Sequence, residues 1–230
     1  MKHIIKLSDT REVFDKLNNY YGALGLNPEF SQIRIETPLI NGQGTYDINI
    51  KKENLDVTEQ GLRRNDLFIA TSLGFYFTFE DATKKGVESL ISYAKIGAEA
   101  DATAGTPAVD GFAKDDIQAF YNGTFYLQTG TIVNLEDLPL SLFEKRTQYQ
   151  GDLQAFDLQS LQVSLAERFV FAGTQDHKLQ VSFPSFANSD YSAAIAGKVS
   201  KLVFIALGYK VAGGTGEKFR VESNPFYAMI

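Results

Sequence analysis

Apolar and polar residues alternate in short runs along most of this chain, the two-residue period of a half-buried β-strand. Gln32–Thr37, Thr45–Lys51, Leu67–Thr71, Phe75–Glu80, Ser89–Lys95, Ile117–Tyr121, Thr124–Thr129 and Thr131–Glu136 form a first series. Leu161–Leu165, Phe169–Ala172, Lys178–Phe183, Leu202–Leu207, Tyr209–Ala212 and Lys218–Val221 form a second. Gly74, between two of these runs, suits a bulge or bend. Around Asn122-Gly123 aromatic-rich runs extend on both sides, from Ala119 to Leu127. Asn-Gly tolerates the positive φ angles of a two-residue type I′ turn, so this stretch predicts a tight hairpin.

One segment has a different period. Val13, Phe14, Leu17, Tyr20, Tyr21 and Leu24 recur at helical spacing, and Asp9 with Glu12 has the spacing of a capping box. Gly22 or Gly25 can supply the left-handed residue that ends the helix, and Pro28 prevents its resumption. The apolar face of Val13, Phe14, Leu17, Tyr20 and Tyr21 predicts either packing on its own domain or an arm docked on a neighbouring subunit. A membrane surface is the weaker form of the second alternative. Residues 97–116, rich in Ala, Gly and Thr, read as a long exposed loop. Asp137–Phe143 reads as a short helix or connector, and an Ala-rich helix is expected within Asn188–Ser200.

These elements predict an all-β protein with one N-terminal amphipathic helix. The two series share a style of short strands with an intervening loop or helix, which fits jelly-roll β-sandwiches of about eight strands each. The expected division is a helix and linker at 1–30, a first jelly roll at 31–137 and a second at 138–230, making a double jelly roll. A single elaborated jelly roll is the alternative, since 230 residues is short for two.

Composition narrows the functional classes. Hydrophobic residues make up 44% and aromatics 13%, enough for a large packed core. The net charge is −6 and the 22 basic residues are scattered without a terminal arm. Binding to a nucleic-acid backbone needs clustered cations, so direct sequence-specific or genome-wrapping contact is not expected. The chain has no Cys, which removes disulfides, thiolate metal sites and cysteine nucleophiles together. Its opening residues, Met1 to Asp9, are too polar for a signal-peptide core, leading to the expectation of synthesis in a cytoplasm.

Candidate chemistry is sparse. Asp176-His177 joins a carboxylate to one of only two histidines, but sequence neighbours on a strand face opposite sides, so a polar turn is the simpler reading. Gly213-Gly214-Thr215-Gly216-Glu217-Lys218 departs from a phosphate-binding loop because Glu217 separates Gly from Lys and Phe219 follows; it reads as a hairpin loop. Asp110, Asp115 and Asp116 lack the spacing of a calcium loop. Glu80-Asp81 and Glu136-Asp137 read as strand-ending turns, and Asn122-Gly123-Thr124 as turn chemistry in place of a glycosylation site. No catalytic, cofactor-binding or metal-binding residue is therefore assigned, and no cofactor is expected.

Arg63–Thr71, Thr131–Leu140 and Lys201–Tyr209 are similar to stretches of virion structural proteins from small icosahedral phages of Bacteroidetes hosts. Among these the chain most resembles the major capsid proteins of lipid-containing phages. That resemblance implies a double jelly roll, trimeric capsomers and a self-assembled shell over an internal membrane. It also implies contacts with other virion proteins and residence in the virion. The alternatives are a β-sandwich carbohydrate-binding or attachment module and, further off, a β-rich hydrolase with dispersed carboxylates.

Overall fold

A computed structural model describes residues 7–40, 42–81, 90, 120–143, 163–184 and 198–215. The described residues open with α1, Leu7–Gly22. Among the described residues eight strands follow: β1 (Pro28–Pro38), β2 (Thr45–Ile48), β3 (Leu67–Asp81), β4 (Thr124–Thr129), β5 (Ile132–Pro139), β6 (Val163–Ala172), β7 (His177–Ser182) and β8 (Lys198–Val211). A 3-10 turn, Leu140–Phe143, follows β5. Among the described residues the protein is mostly β, with two antiparallel sheets and one full helix, α1. The first sheet has the order β1-β8-β3-β6 and the second β2-β7-β4-β5.

Alternation decides which residues enter the core. Ile33 and Ile35 of β1, Phe75 and Phe77 of β3 and Phe204 and Ala206 of β8 point inward from the first sheet. Tyr46, Ile48, Phe125, Leu127, Leu179 and Val181 meet them from the second. The intervening β1 residues, Arg34 and Glu36, belong to the opposite face and pair with each other at 2.7 Å.

The expected boundary between residues 137 and 138 does not separate two sandwiches. β6, β7 and β8 all follow it, yet β8 pairs with β1 and β3, β6 with β3, and β7 with β2 and β4. Among the described residues the stretches 31–137 and 138–230 thus share both sheets and one core. Antiparallel partners far apart in sequence leave no local trace, so two strand-rich halves look alike whether they pair internally or with each other.

Several strands are longer than their sequence runs. β3 passes through Gly74 unbroken, and its irregularity lies between Ala70 and Ser72. β8 passes through Gly208, where a Cβ would drive into the Ile69 carbonyl oxygen; glycine there permits close strand approach and does not end a strand.

The expected Asn122-Gly123 hairpin is overturned. Phe120 and Tyr121 are helical, neither Asn122 nor Gly123 has positive φ, and the Gly123 amide donates to the Phe120 carbonyl at 2.9 Å. The two-residue hairpin lies instead at Gly130-Thr131, with Thr129 paired to Ile132. Gly130 has φ 57° and Thr131 does not share the positive region, the pattern of a type II′ turn. Glu136-Asp137 lies within β5, which continues to Pro139 although Asp137 has φ 51°. The expected elements at 89 and 91–95, 97–116, 117–119, 188–197 and 218–221 lie outside the described residues.

The helix already runs at Leu7, so Asp9 sits inside it and not at its cap. Gly25, at φ 75°, is the left-handed residue of a Schellman ending: Leu26 N–H donates to Tyr21 O and Gly25 N–H to Gly22 O, both at 3.0 Å. Val13, Leu17 and Tyr21 lie one above another and are buried on the outer face of the first sheet, against Leu67, Ile69, Val170, Ala172, Tyr209 and Val211. Phe14 and Tyr20 are partly buried beside them, with the Phe14 ring 5.6 Å from Tyr209. Among the described residues no helix is long and apolar enough to cross a membrane.

Leu17→Ala should therefore lower the stability of the isolated subunit by about 2–5 kcal/mol, by lost transfer energy plus a residual cavity. Chemical denaturation of the monomer checks it; an unchanged midpoint would mean that the face is not packed on its own sheet.

Candidate functional site

A polar cleft of about 1000 Å³ lies where the β2–β3 connection, residues 49–66, meets the turn between β6 and β7. Lys51, Lys52, Arg63, Arg64 and Lys210 line it, against three carboxylates, Glu53, Glu59 and Asp66. Asn49 and Thr174 add neutral polar groups.

The β2–β3 connection is held by backbone pairing at one end. Arg34 and Gln60 exchange both amide–carbonyl bonds, at 2.8 and 2.9 Å, so this segment partly covers the free edge of β1. Glu59 is fixed beside that pairing. One of its oxygens accepts from the Glu36 amide at 2.8 Å, and the other from the Asp56 amide at 2.8 Å and from Lys52. Burial raises the Glu59 pKa, but these two amides and Lys52 together hold it below its ordinary value of 4.5. Glu59 is therefore a satisfied structural anion.

The other wall is set by Gly173. A Cβ there would collide with the Arg63 and Arg64 carbonyl oxygens, and its amide donates to the Asp66 carbonyl at 2.9 Å. Thr215 adds two more contacts, its amide to Asn65 O at 3.1 Å and its hydroxyl to Arg64 O at 3.4 Å. The backbone carrying Arg63 and Arg64 is thus pinned, while both side chains are exposed and, among the described residues, carry no ion pair. The remaining lining cations are engaged: Lys51 with Asp176 and the Gln175 carbonyl, at 3.0 and 2.9 Å, and Lys210 with Glu29 at 2.9 Å.

Near the cleft, His177 is not the simple turn residue that its sequence position suggested. The turn occupies residues 173–176, and the half-buried His177 ring begins β7, packed edge-on against Phe171 at 5.4 Å. Nε2 lies 2.8 Å from the Ala172 carbonyl oxygen, which requires it to donate, and Nδ1 lies 3.3 Å from the Thr129 hydroxyl. Burial, the largest influence, lowers its pKa below 6.5; Lys51 adds to this, while the Ala172 carbonyl and Asp176 oppose it.

The neutral ring is favoured by folding, so its contribution is complete above pH 6.5 and is lost as pH falls from there through the depressed native value. Between about pH 8 and about pH 5, the melting temperature should fall more for the wild type than for His177→Gln. Parallel curves would show that this ring does not couple to folding. Glu59, whose ordinary value is 4.5, acts in the same direction only at lower pH.

The other sequence candidates scatter. Glu80 lies on the outer face of the first sheet, where it binds Lys201 at 2.7 Å. Gly213 and Gly214 form a turn after β8, with the Gly213 amide 3.3 Å from the Asp66 carboxylate. Residues 216–218, Asp110, Asp115 and Asp116 lie outside the described residues. Among the described residues no group of three or more His, Cys, Asp or Glu is placed to hold a metal ion. Sequence reasoning missed the cleft; Lys51-Lys52 and Arg63-Arg64 were its only trace. Two adjacent basic pairs look like an ordinary solvated loop until Gly173 is placed behind them. No family model, curated protein or solved structure matches this chain.

Proposed function

We propose that this chain is a phage coat subunit built on a single jelly roll, which self-assembles through trimers into an icosahedral shell. The observation that carries the reading is the nesting of strand pairs. β1 pairs with β8, β2 with β7, β3 with β6 and β4 with β5, and successive pairs alternate between the two sheets. A long antiparallel ribbon rolled upon itself has this order, and jelly rolls of this kind build viral shells and lectin domains.

Fold alone does not choose between those uses. The resemblance of Arg63–Thr71, Thr131–Leu140 and Lys201–Tyr209 to phage virion proteins favours the coat. The β5 edge also supports lateral contact between subunits, since Ile132 and Val133 are 58% and 47% exposed on a strand paired on one side only among the described residues. Other virion proteins and a membrane beneath the shell are the further partners of this reading.

Native mass spectrometry with electron microscopy of the purified chain tests it. The expected result is trimers or larger closed assemblies that form particles at high concentration. A persistent monomer that binds glycans would overturn the coat reading in favour of an attachment module.

A further inference from the structure

We propose that the cleft walled by Arg63, Arg64 and Thr174 binds a small ligand carrying a phosphate-like oxyanion. The chain as a whole is acidic, at −6, yet this concavity gathers five cations against three carboxylates. The three lysines are already paired, Lys51 with Asp176, Lys52 with Glu59 and Lys210 with Glu29, so the cations open to a ligand are the two arginines. Glu59 is saturated by two backbone amides and Lys52, whereas Arg63 and Arg64 carry no ion pair among the described residues. A planar guanidinium offers parallel N–H donors that match a phosphate better than a point charge does.

Two further features point to a ligand site. The backbone under the arginines is held by Gly173 and Thr215 before any ligand arrives, so little chain ordering opposes binding. The space, about 1000 Å³, far exceeds a bare phosphate and lies at the upper end for small-molecule sites. This favours an oxyanion carried on a polar body, for which Asn49 and Thr174 supply neutral hydrogen-bonding groups. Glu53 is the lining carboxylate with no described partner, and it opposes an anion. A nucleic-acid strand fits less well, because it requires an extended basic track on a chain that is acidic overall. The inference needs only one folded chain, so it stands or falls separately from assembly into a coat.

Isothermal titration with pyrophosphate, on the full chain at low salt, tests the proposal. Saturable binding is expected, weakened about tenfold or more in Arg63→Ala/Arg64→Ala with an unchanged melting temperature. Glu53→Gln should tighten binding by removing a like charge, and added salt should weaken it. Co-sedimentation with phosphatidylglycerol vesicles separates the two sources of this chemistry. Vesicle binding that pyrophosphate displaces supports the site with a lipid headgroup as ligand; pyrophosphate binding without vesicle binding supports a soluble phosphate ester. Absence of both, or binding that survives loss of both arginines, overturns the proposal. So does an oligonucleotide that binds a hundredfold tighter than pyrophosphate.

Discussion

Phe75→Ala should destabilise the protein by about 3–5 kcal/mol while leaving unfolding a single transition. Phe75 stands at the centre of the space between the sheets. Its ring lies 5.5 Å from Phe204 on its own sheet, 5.0 Å from Phe125 on the facing one, and 4.9 Å from Phe143 in the 3-10 turn. Truncation leaves a cavity bounded by rings that rigid strands hold apart, so collapse can recover little of the loss. Both sheets lose the same support, and both should melt together at a lower denaturant concentration. Two separated transitions would mean that the stretches before and after residue 137 fold as independent units, contrary to their shared sheets.

The second large effect is expected at Lys201. Its ammonium group, 5% exposed, lies 2.7 Å from Glu80, 3.3 Å from Glu36 and 3.3 Å from Asp56. Burial by itself lowers its pKa, but the Glu80 hydrogen bond and the Glu36 charge prevail and raise it above 10.5. Its contribution is therefore complete below that value and is lost as pH rises through the elevated native one. Lys201→Ala should cost about 3–5 kcal/mol, because it leaves the buried Glu36 and the half-buried Glu80 as like charges, with Arg34 and the Thr58 hydroxyl contacting Glu36 among the described residues. Adding Glu80→Gln to that variant should return part of the loss. A double-mutant cycle measures the coupling, and additive costs would show that the ammonium and the Glu80 carboxylate act independently.

The elements that were legible locally are those whose cause is local. Alternation located β1, β4 and β7 to within a few residues, since facing positions such as Ile33 and Ile35 must be apolar wherever that strand is placed. The helix followed from spacing, and of the two glycines that could supply its left-handed ending, Gly22 and Gly25, the structure uses Gly25. The same signals misled where glycine served a distant neighbour. Gly208 separated two expected runs, but a side chain there would meet the Ile69 carbonyl of β3. Asn122-Gly123 looked like a hairpin, yet its first flank is helical and the turn falls at Gly130.

By itself, then, the sequence determined the strand-rich class, the inward and outward faces of several strands, and the amphipathic helix. Tertiary structure alone decided that β8 lies between β1 and β3, that residues before and after 137 share one core, and that Gly173 supports Arg63 and Arg64 beside a cleft. The physical reason is range. Periodicity and turn chemistry are properties of a few successive residues, whereas strand order and a charged cleft arise when segments more than a hundred residues apart satisfy each other's hydrogen bonds and close contacts.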